Sequence, residues 1–559
     1  MSVAEDLRRR AADWIAADPD PATRAELGAL LEAGDEAALH ERFDRPLRFG
    51  TAGLRARLGA GPARMNRAVV RRTTAGLCRV IAARGPGAAT RGLVVGHDAR
   101  HGSAAFAADV AEVAAALSVR VRLLATALPT PLCAFALRHF GAEAAVVVTA
   151  SHNPAQDNGY KVYAADGAQV IPPEDEAISR AAEAAAPPPA GPVCGVEVVD
   201  EQALIRAYTD RCLALVQPGG PRDLSVVYTP LHGVGGAVFP GLLAAAGFPA
   251  PAVVAAQATP DPDFPTVAFP NPEEPGALDL ALALGEARGA DIVLANDPDA
   301  DRLALAVRDG RTGGLVVLSG DQLGVLLAEH VLARTSGPDR LVATTIVSSS
   351  LLGALAAEAG VAYVETLTGF KWIVRAAQRR PGHRLVFGYE EALGFCIGDA
   401  VADKDGLSAA LVAAEMAAEA KAAGASLLDR LDALEARLGV HLTSQLSLRR
   451  EVGRAADEMA GILDAWRVAP PSALGGDAVT EVRDLRAGGS ELPPTDALVL
   501  RLGENGRVTL RPSGTEAKVK FYFEATTPPP GPGGLLAARS AARTRLRSWE
   551  AAVAARSAS

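Results

Sequence analysis

Short runs rich in Val and Ile, each closing on a Gly- or Pro-containing loop and followed by an Ala/Leu-rich periodic stretch, recur through the first four-fifths of the chain. This alternation predicts β-α units. Leu93 to Val95 precedes Gly96-His97-Asp98, Ala144 to Val148 precedes Thr149-Ala150-Ser151, Ser225 to Tyr228 precedes Thr229-Pro230, and Ile292 to Ala295 precedes Asn296-Asp297. Each polar cluster lies just past the carboxyl end of an apolar run, the edge at which open α/β sheets place their ligands. Leu341 to Ala357 reads as a buried strand and then a helix, its apolar run being broken by Thr344, Thr345 and Ser348 to Ser350. A long Ala/Glu/Leu helix pattern covers Leu407 to Leu438. Beyond it the texture changes. Arg507 to Leu510 and Val519 to Phe523 predict two strands flanking a phosphate-sized loop, and after a Pro/Gly linker an Ala/Arg helix ends the chain against that last unit.

Pro/Gly density at Ala186 to Pro192 and at Gln217 to Pro221, then around Gly310 to Gly314, divides the sequence. The domains expected are 1–216, 217–317, 318–438 and 439–559, three similar α/β units and a smaller α+β domain. At 559 residues several cores are required. Net charge is −9 with no long Lys/Arg run, which excludes an extended nucleic-acid footprint and leaves anions to local cationic pockets. The five cysteines are scattered and free of any Cys-x-x-Cys pair, arguing against a disulfide framework or a structural zinc site. No apolar leader core stands in the first 20 residues, and no stretch predicts a membrane span. A cytoplasmic protein is expected, a monomer or alternatively a dimer.

Four clusters carry candidate chemistry. Ser151 follows an apolar strand and is followed by His152-Asn153-Pro154; alone it fits a turn as well as a nucleophile. No Gly-x-Ser-x-Gly surrounds it, and Lys161 brings a cation back toward the same edge. Asp297, Asp299 and Asp301 alternate directly after a strand, where their mutual repulsion calls for a cation such as Mg²⁺. A calcium loop is excluded because Arg302 and Arg308 stand where it needs Gly and Glu. An aspartyl-nucleophile phosphatase fits poorly, since Asp301 occupies its Thr or Val position. Glu390-Glu391, flanked by Gly388 and Gly394 and placed in a loop after Leu385 to Phe387, suits vicinal sugar hydroxyls or a helix start. Lys371 and Lys404 lie nearby without an obvious structural need. Arg511-Pro512-Ser513-Gly514-Thr515 offers a guanidinium fork, two hydroxyls and Gly-freed amides to a phosphate. Neither a P-loop, nor a complete dinucleotide fingerprint, nor His-Glu-x-x-His is present.

In this order, and with Phe49-Gly50-Thr51-Ala52-Gly53-Leu54-Arg55 ahead of them, these segments resemble the α-D-phosphohexomutase superfamily, in its phosphoglucomutase-like branch of phosphosugar mutases. The resemblance covers essentially the whole chain. It implies four domains around a central cleft and a phosphorylated Ser151 that donates its phosphoryl to a sugar phosphate. Asp297, Asp299 and Asp301 would bind Mg²⁺ with a phosphoserine oxygen, and Lys161 would be the general acid/base, with Arg55, His152 and Arg302 lining the centre. Glu390 would grip the sugar. Thr51, Thr368, Gly369, Lys371 and Lys404 would contact the substrate, while Arg511, Ser513, Gly514 and Thr515 hold the idle phosphate. The implied reaction is α-D-glucose 1-phosphate to glucose 6-phosphate through glucose 1,6-bisphosphate, with mannose or pentose phosphates as the alternative. Many relatives read Glu-x-Ser in the sugar loop, whereas this chain has Ala392 in the serine position. A non-turning-over sugar-phosphate binder and a metal-dependent sugar phosphatase are the other classes considered.

Overall fold

A computed structural model describes residues 3–50, 53–186, 195–449, 455–488, 492–512, 518–531 and 533–558. The chain forms two compact units, one of Met1–Ala306 with Asp399–Glu415, the other of Val307–Gly398 with Met416–Ser559.

The first unit opens with helices Val3–Ala17, Pro21–Ala33 and Glu36–Phe43, whose Leu7, Trp14, Leu27, Leu39 and Phe43 join the core of a six-stranded sheet. That sheet runs in the order Leu54–Arg57, Asp157–Ala164, Ala144–Val148, Leu93–His97, Val121–Leu123, Val196–Val198. Strands Leu93–His97 and Ala144–Val148 are parallel and buried along their whole length, which is why they read as unbroken apolar runs rather than as alternation. Asp157–Ala164 returns antiparallel to Ala144–Val148, pairing Lys161 with Val147 and so bringing the lysine back to the loop edge. The first unit's other sheet runs in the order Ala304–Arg308, Ile292–Ala295, Val226–Thr229, Ala252–Val253.

In the second unit a four-stranded sheet orders Ala362–Thr366, Arg340–Thr345, Arg384–Glu390, Gly394–Ile397. The C-terminal sheet orders Val440–Arg449, Lys518–Thr527, Gly506–Pro512, Leu498–Arg501, Glu481–Asp484. The last helix, Leu535–Ala558, buries Ala542, Leu546, Trp549 and Val553 in the core of that C-terminal sheet, as its sequence suggests. The helix expected over Leu407 to Leu438 is instead two, Gly406–Ala422 and Leu427–Leu438. Gly424 takes a φ of +71° between them, and Ser426 starts the second with a reciprocal capping box to Asp429. That local chemistry outweighs the alanine-rich propensity across the break. Glu390 also departs from expectation: it ends a strand and Glu391 begins the tight turn of a hairpin, rather than both lying in a loop. Among the described residues no helix is long and apolar enough to cross a membrane, and Cys78, Cys133, Cys212 and Cys396 are buried and form no disulfide with one another.

Candidate functional site

Ser151 begins the turn after Ala144–Val148 with a φ of +53°, a left-handed conformation costly for a residue with a Cβ. The turn holds it there: the Ser151 N–H donates to Thr149 Oγ1 (2.8 Å). Its hydroxyl donates to Asp297 Oδ2 (2.8 Å), and His152 Nδ1 lies 3.2 Å from Ser151 Oγ. Burial first, then Arg302 and Arg55, push the His152 imidazole well below its ordinary value, so it stands neutral beside the hydroxyl.

Asp297, Asp299 and Asp301 are buried, and their ligand atoms lie within 4.8 Å of one another. Ala300, at a φ of +58°, turns the chain between the last two so that alternate carboxylates converge. Asp297 Oδ1 accepts from the Arg302 N–H (3.0 Å). Thr130 Oγ1 donates to Asp299 Oδ2 (2.8 Å), and Lys161 Nζ reaches both Asp299 Oδ2 (2.8 Å) and Asp301 Oδ2 (3.2 Å). Lys404 Nζ comes within 3.4 Å of Asp301 Oδ2. Burial and the two neighbouring carboxylates push Asp297 well up. At Asp299 and Asp301 burial acts in the same direction but is overcome, chiefly by Lys161, and both lie below the usual carboxylate range. Lys161, despite its burial, is raised by Asp299 and Asp301, so it stands as an ammonium that can donate a proton or neutralise an anion. Two buried oxygens, Asp299 Oδ1 and Asp301 Oδ1, accept no hydrogen bond. Orphaned hard oxygens among converging carboxylates fit an oxygen-seeking divalent cation.

Arg55 Nη1 donates to Asn153 Oδ1 (3.0 Å), fixing the turn after the serine, and Arg302 pairs with Glu273 (3.3 Å). Lys404 arrives on the segment Asp399–Glu415, which lies against the metal-site loop because residue 406 is glycine: a Cβ there would sit 2.2 Å from Arg302 O and 2.7 Å from Asn296 Nδ2. Arg55, Ser151, His152, Lys161, Asp297, Asp299, Asp301, Arg302 and Lys404 are thus gathered in the first unit. Thr130, Asn153 and Arg100 share this neighbourhood and were not singled out from the sequence; Arg100 follows the His97-Asp98 cluster at a strand end, a signal that could have marked it.

In the second unit Glu391 is occupied structurally, its Oε2 accepting from Ser348 Oγ (2.9 Å) and its N–H donating back to that hydroxyl (3.1 Å). Glu390 precedes it at the strand end, half-buried. Thr368 precedes Gly369, whose φ of +107° begins the short helix Phe370–Ile373 that carries Lys371. Arg511 stands opposite Lys520 across the antiparallel pair Gly506–Pro512 and Lys518–Thr527. Like charges directly opposite are unfavourable unless an anion joins them. Thr51, Ser513, Gly514 and Thr515 lie outside the described residues.

Four family models match in order: phosphoglucomutase/phosphomannomutase α/β/α domain I over residues 46–188, domain II over 206–310, domain III over 319–435 and the C-terminal domain over 449–529. The "Probable phosphomannomutase" of Haemophilus influenzae is 39% identical over 446 residues, 78% of this chain and 88% of that one. The "Phosphopentomutase" of Mus musculus is 35% identical, covering 94% of this chain and 91% of its own. The "Phosphoglucomutase" of Staphylococcus aureus is 33% identical, covering 89% and 93%. Among solved structures, a phosphoglucomutase/phosphomannomutase family protein of Burkholderia thailandensis shares the fold with a TM-score of 0.67 at 22% identity, over 90% of this chain and 97% of that one. The family models and the full-length relatives define an intramolecular phosphotransferase, an isomerase of phosphorylated sugars. The chain belongs to the phosphoglucomutase/phosphomannomutase family, within the α-D-phosphohexomutase superfamily.

Proposed function

We propose that this chain interconverts α-D-glucose 1-phosphate and glucose 6-phosphate by way of a phosphoserine at Ser151. The observation that carries this reading is the Ser151 hydroxyl held 2.8 Å from a buried acid triad with two oxygens left unsatisfied. Phosphoryl transfer asks mainly for alignment and for cations over the equatorial oxygens. Asp297, Asp299 and Asp301 would hold Mg²⁺, which would supply positive charge to the phosphoryl transfer. The remaining work falls to the chain. Phosphoserine 151 passes its phosphoryl to the free sugar hydroxyl: the Ser151 Oγ–P bond breaks as the new O–P bond forms, and the proton lost by the sugar hydroxyl is balanced by the one the freed serine oxygen takes up. The glucose 1,6-bisphosphate so formed turns over and returns its other phosphoryl to Ser151. Lys161 donates the proton taken up by the freed sugar oxygen, and Arg55 faces the transferring group with its fixed charge.

Glu390 takes the sugar hydroxyls, while Thr368, Gly369 and Lys371 add contacts and Arg511 with Ser513, Gly514 and Thr515 holds the idle phosphate. Domains 1–216, 217–317, 318–438 and 439–559 each contribute one of these loops. A pentose 1-phosphate is the second reading, favoured by Ala392 in the sugar loop and by the near full-length similarity to a phosphopentomutase. Incubation with glucose 1-phosphate, Mg²⁺ and a trace of glucose 1,6-bisphosphate should give glucose 6-phosphate, and Ser151→Ala should abolish turnover. Release of inorganic phosphate alone, or full activity in the alanine variant, would overturn the mutase reading. A kcat/KM higher on ribose 1-phosphate than on glucose 1-phosphate would select the second substrate.

A further inference from the structure

The turn that carries Ser151 is held from beneath by one buried side chain. Arg100 follows strand Leu93–His97 and is 4% exposed. Its Nη2 donates to Ser151 O and Asn153 O, both at 2.5 Å, and its Nη1 donates to Pro154 O (2.9 Å) and Asp157 O (3.2 Å). Four carbonyls of the turn therefore converge on one guanidinium. The guanidinium is fixed in turn: Asp98 Oδ2 lies 3.3 Å from Nε, and the Phe264 ring covers it at 5.0 Å. Asp98 is itself tied down by Ser103 Oγ (2.6 Å) and the Arg100 N–H (3.0 Å).

Two features require such a brace. Ser151 sits at a φ of +53°, a backbone state that persists only when its surroundings impose it. Its hydroxyl must also stay aligned with Asp297 while it gains and loses a phosphoryl group, and the planar fork of an arginine holds several acceptors in one fixed geometry that the three rotatable donors of an ammonium do not reproduce. We propose that Arg100 is a positioning residue for phosphoryl transfer, holding the Ser151 turn by its carbonyls so that the serine oxygen keeps its line of attack. This rests on the mutase reading above. Arg100 touches the backbone of the turn through its guanidinium, so the effect expected is on the transfer step and not on sugar-phosphate binding.

The test compares wild type, Arg100→Lys and Arg100→Ala for mutase kinetics, thermal unfolding, and the rate at which glucose 1,6-bisphosphate phosphorylates Ser151, read by intact mass. In the folded lysine variant kcat and the phosphorylation rate should fall together by about 100-fold, the scale of an ångström-level misplacement, with KM within about twofold. Added guanidinium should restore part of the rate to the alanine variant but none to Ser151→Ala. Should neither Arg100 variant fold, Phe264→Leu, which removes only the ring above the guanidinium, should lower kcat by about threefold to tenfold at unchanged KM. The inference falls if the folded lysine variant keeps kcat within about threefold of wild type, if KM rises in step with the loss, or if Phe264→Leu, as the sole folded variant, matches wild type. Absence of Ser151 phosphorylation in wild type would instead remove the mutase reading.

Discussion

Acid should withdraw a definable part of this protein's stability through Glu524. The carboxylate is buried in strand Lys518–Thr527, with Oε2 2.9 Å from Arg507 Nε and Oε1 accepting from the Ser350 N–H (2.6 Å), Ser350 Oγ (2.9 Å) and Ser349 Oγ (3.1 Å). Burial alone would raise its pKa. The Arg507 charge foremost, then His441 and the Ser350 N–H, more than reverse that and hold the group at about 2 against an ordinary 4.5. Because the folded value is the lower one, the contribution is fully present above about pH 4.5 and is lost as pH falls toward 2. The gap between the two values, at about 1.4 kcal/mol per pH unit, corresponds to about 3 kcal/mol. Glu524→Gln removes the titrating group. Denaturant unfolding followed by tryptophan emission should therefore show the variant about 3 kcal/mol weaker near neutrality, with the gap closing as pH drops below about 4.5. A gap that ignores pH, or one below about 1 kcal/mol near neutrality, would refute the reasoning. Arg507 Nη2 also donates to Ser348 O (2.6 Å), and Ser348 holds Glu391. The sugar-phosphate KM of the variant should accordingly rise even where it remains folded.

Two further outcomes follow from the first unit. Asp301→Asn removes one of the charges that gather the cation and leaves Lys161 and Lys404 less compensated, so Mg²⁺ affinity measured by calorimetry should fall by at least about tenfold and kcat with it; unchanged affinity would place the metal elsewhere. Gly406→Ala drives a Cβ into the backbone of Arg302, so a loss of about 1–3 kcal/mol in stability and a drop in kcat through displaced Lys404 are expected; wild-type melting temperature and rate in this variant would contradict the close approach.

The strands were legible because parallel strands buried on both faces leave continuous Val/Ile runs, as at Ala144–Val148 and Ile292–Ala295. The helix break at Gly424 was not, since glycine among alanines alters apolar periodicity very little while its φ of +71° ends the helix. Side chains that speak to backbone were equally hidden. Arg100 acts on carbonyls 51 to 57 positions away and Arg507 on Ser348 O 159 positions away, and a carbonyl carries no residue-specific signal. Glu391 shows the converse: a carboxylate beside Glu390, indistinguishable from it by type, is taken up in holding Ser348.

The charge arrangement explains why the acid loop could be recognised while its tuning could not. Three carboxylates at alternate positions announce their own repulsion in sequence, and the structure answers it with Lys161 from a neighbouring antiparallel strand and Lys404 from the segment beyond residue 398. Both lysines bond to Oδ2 atoms, leaving Oδ1 of Asp299 and of Asp301 unsatisfied, so the ammonium groups offset charge without closing the ligand set. A phosphoserine dianion arriving beside Asp297 would add to that negative charge, and alignment of Ser151 is tolerable only where fixed cations already stand. The lysines that lower the cost of gathering the acids reach them from distant parts of the chain, an arrangement that spacing along the sequence does not encode.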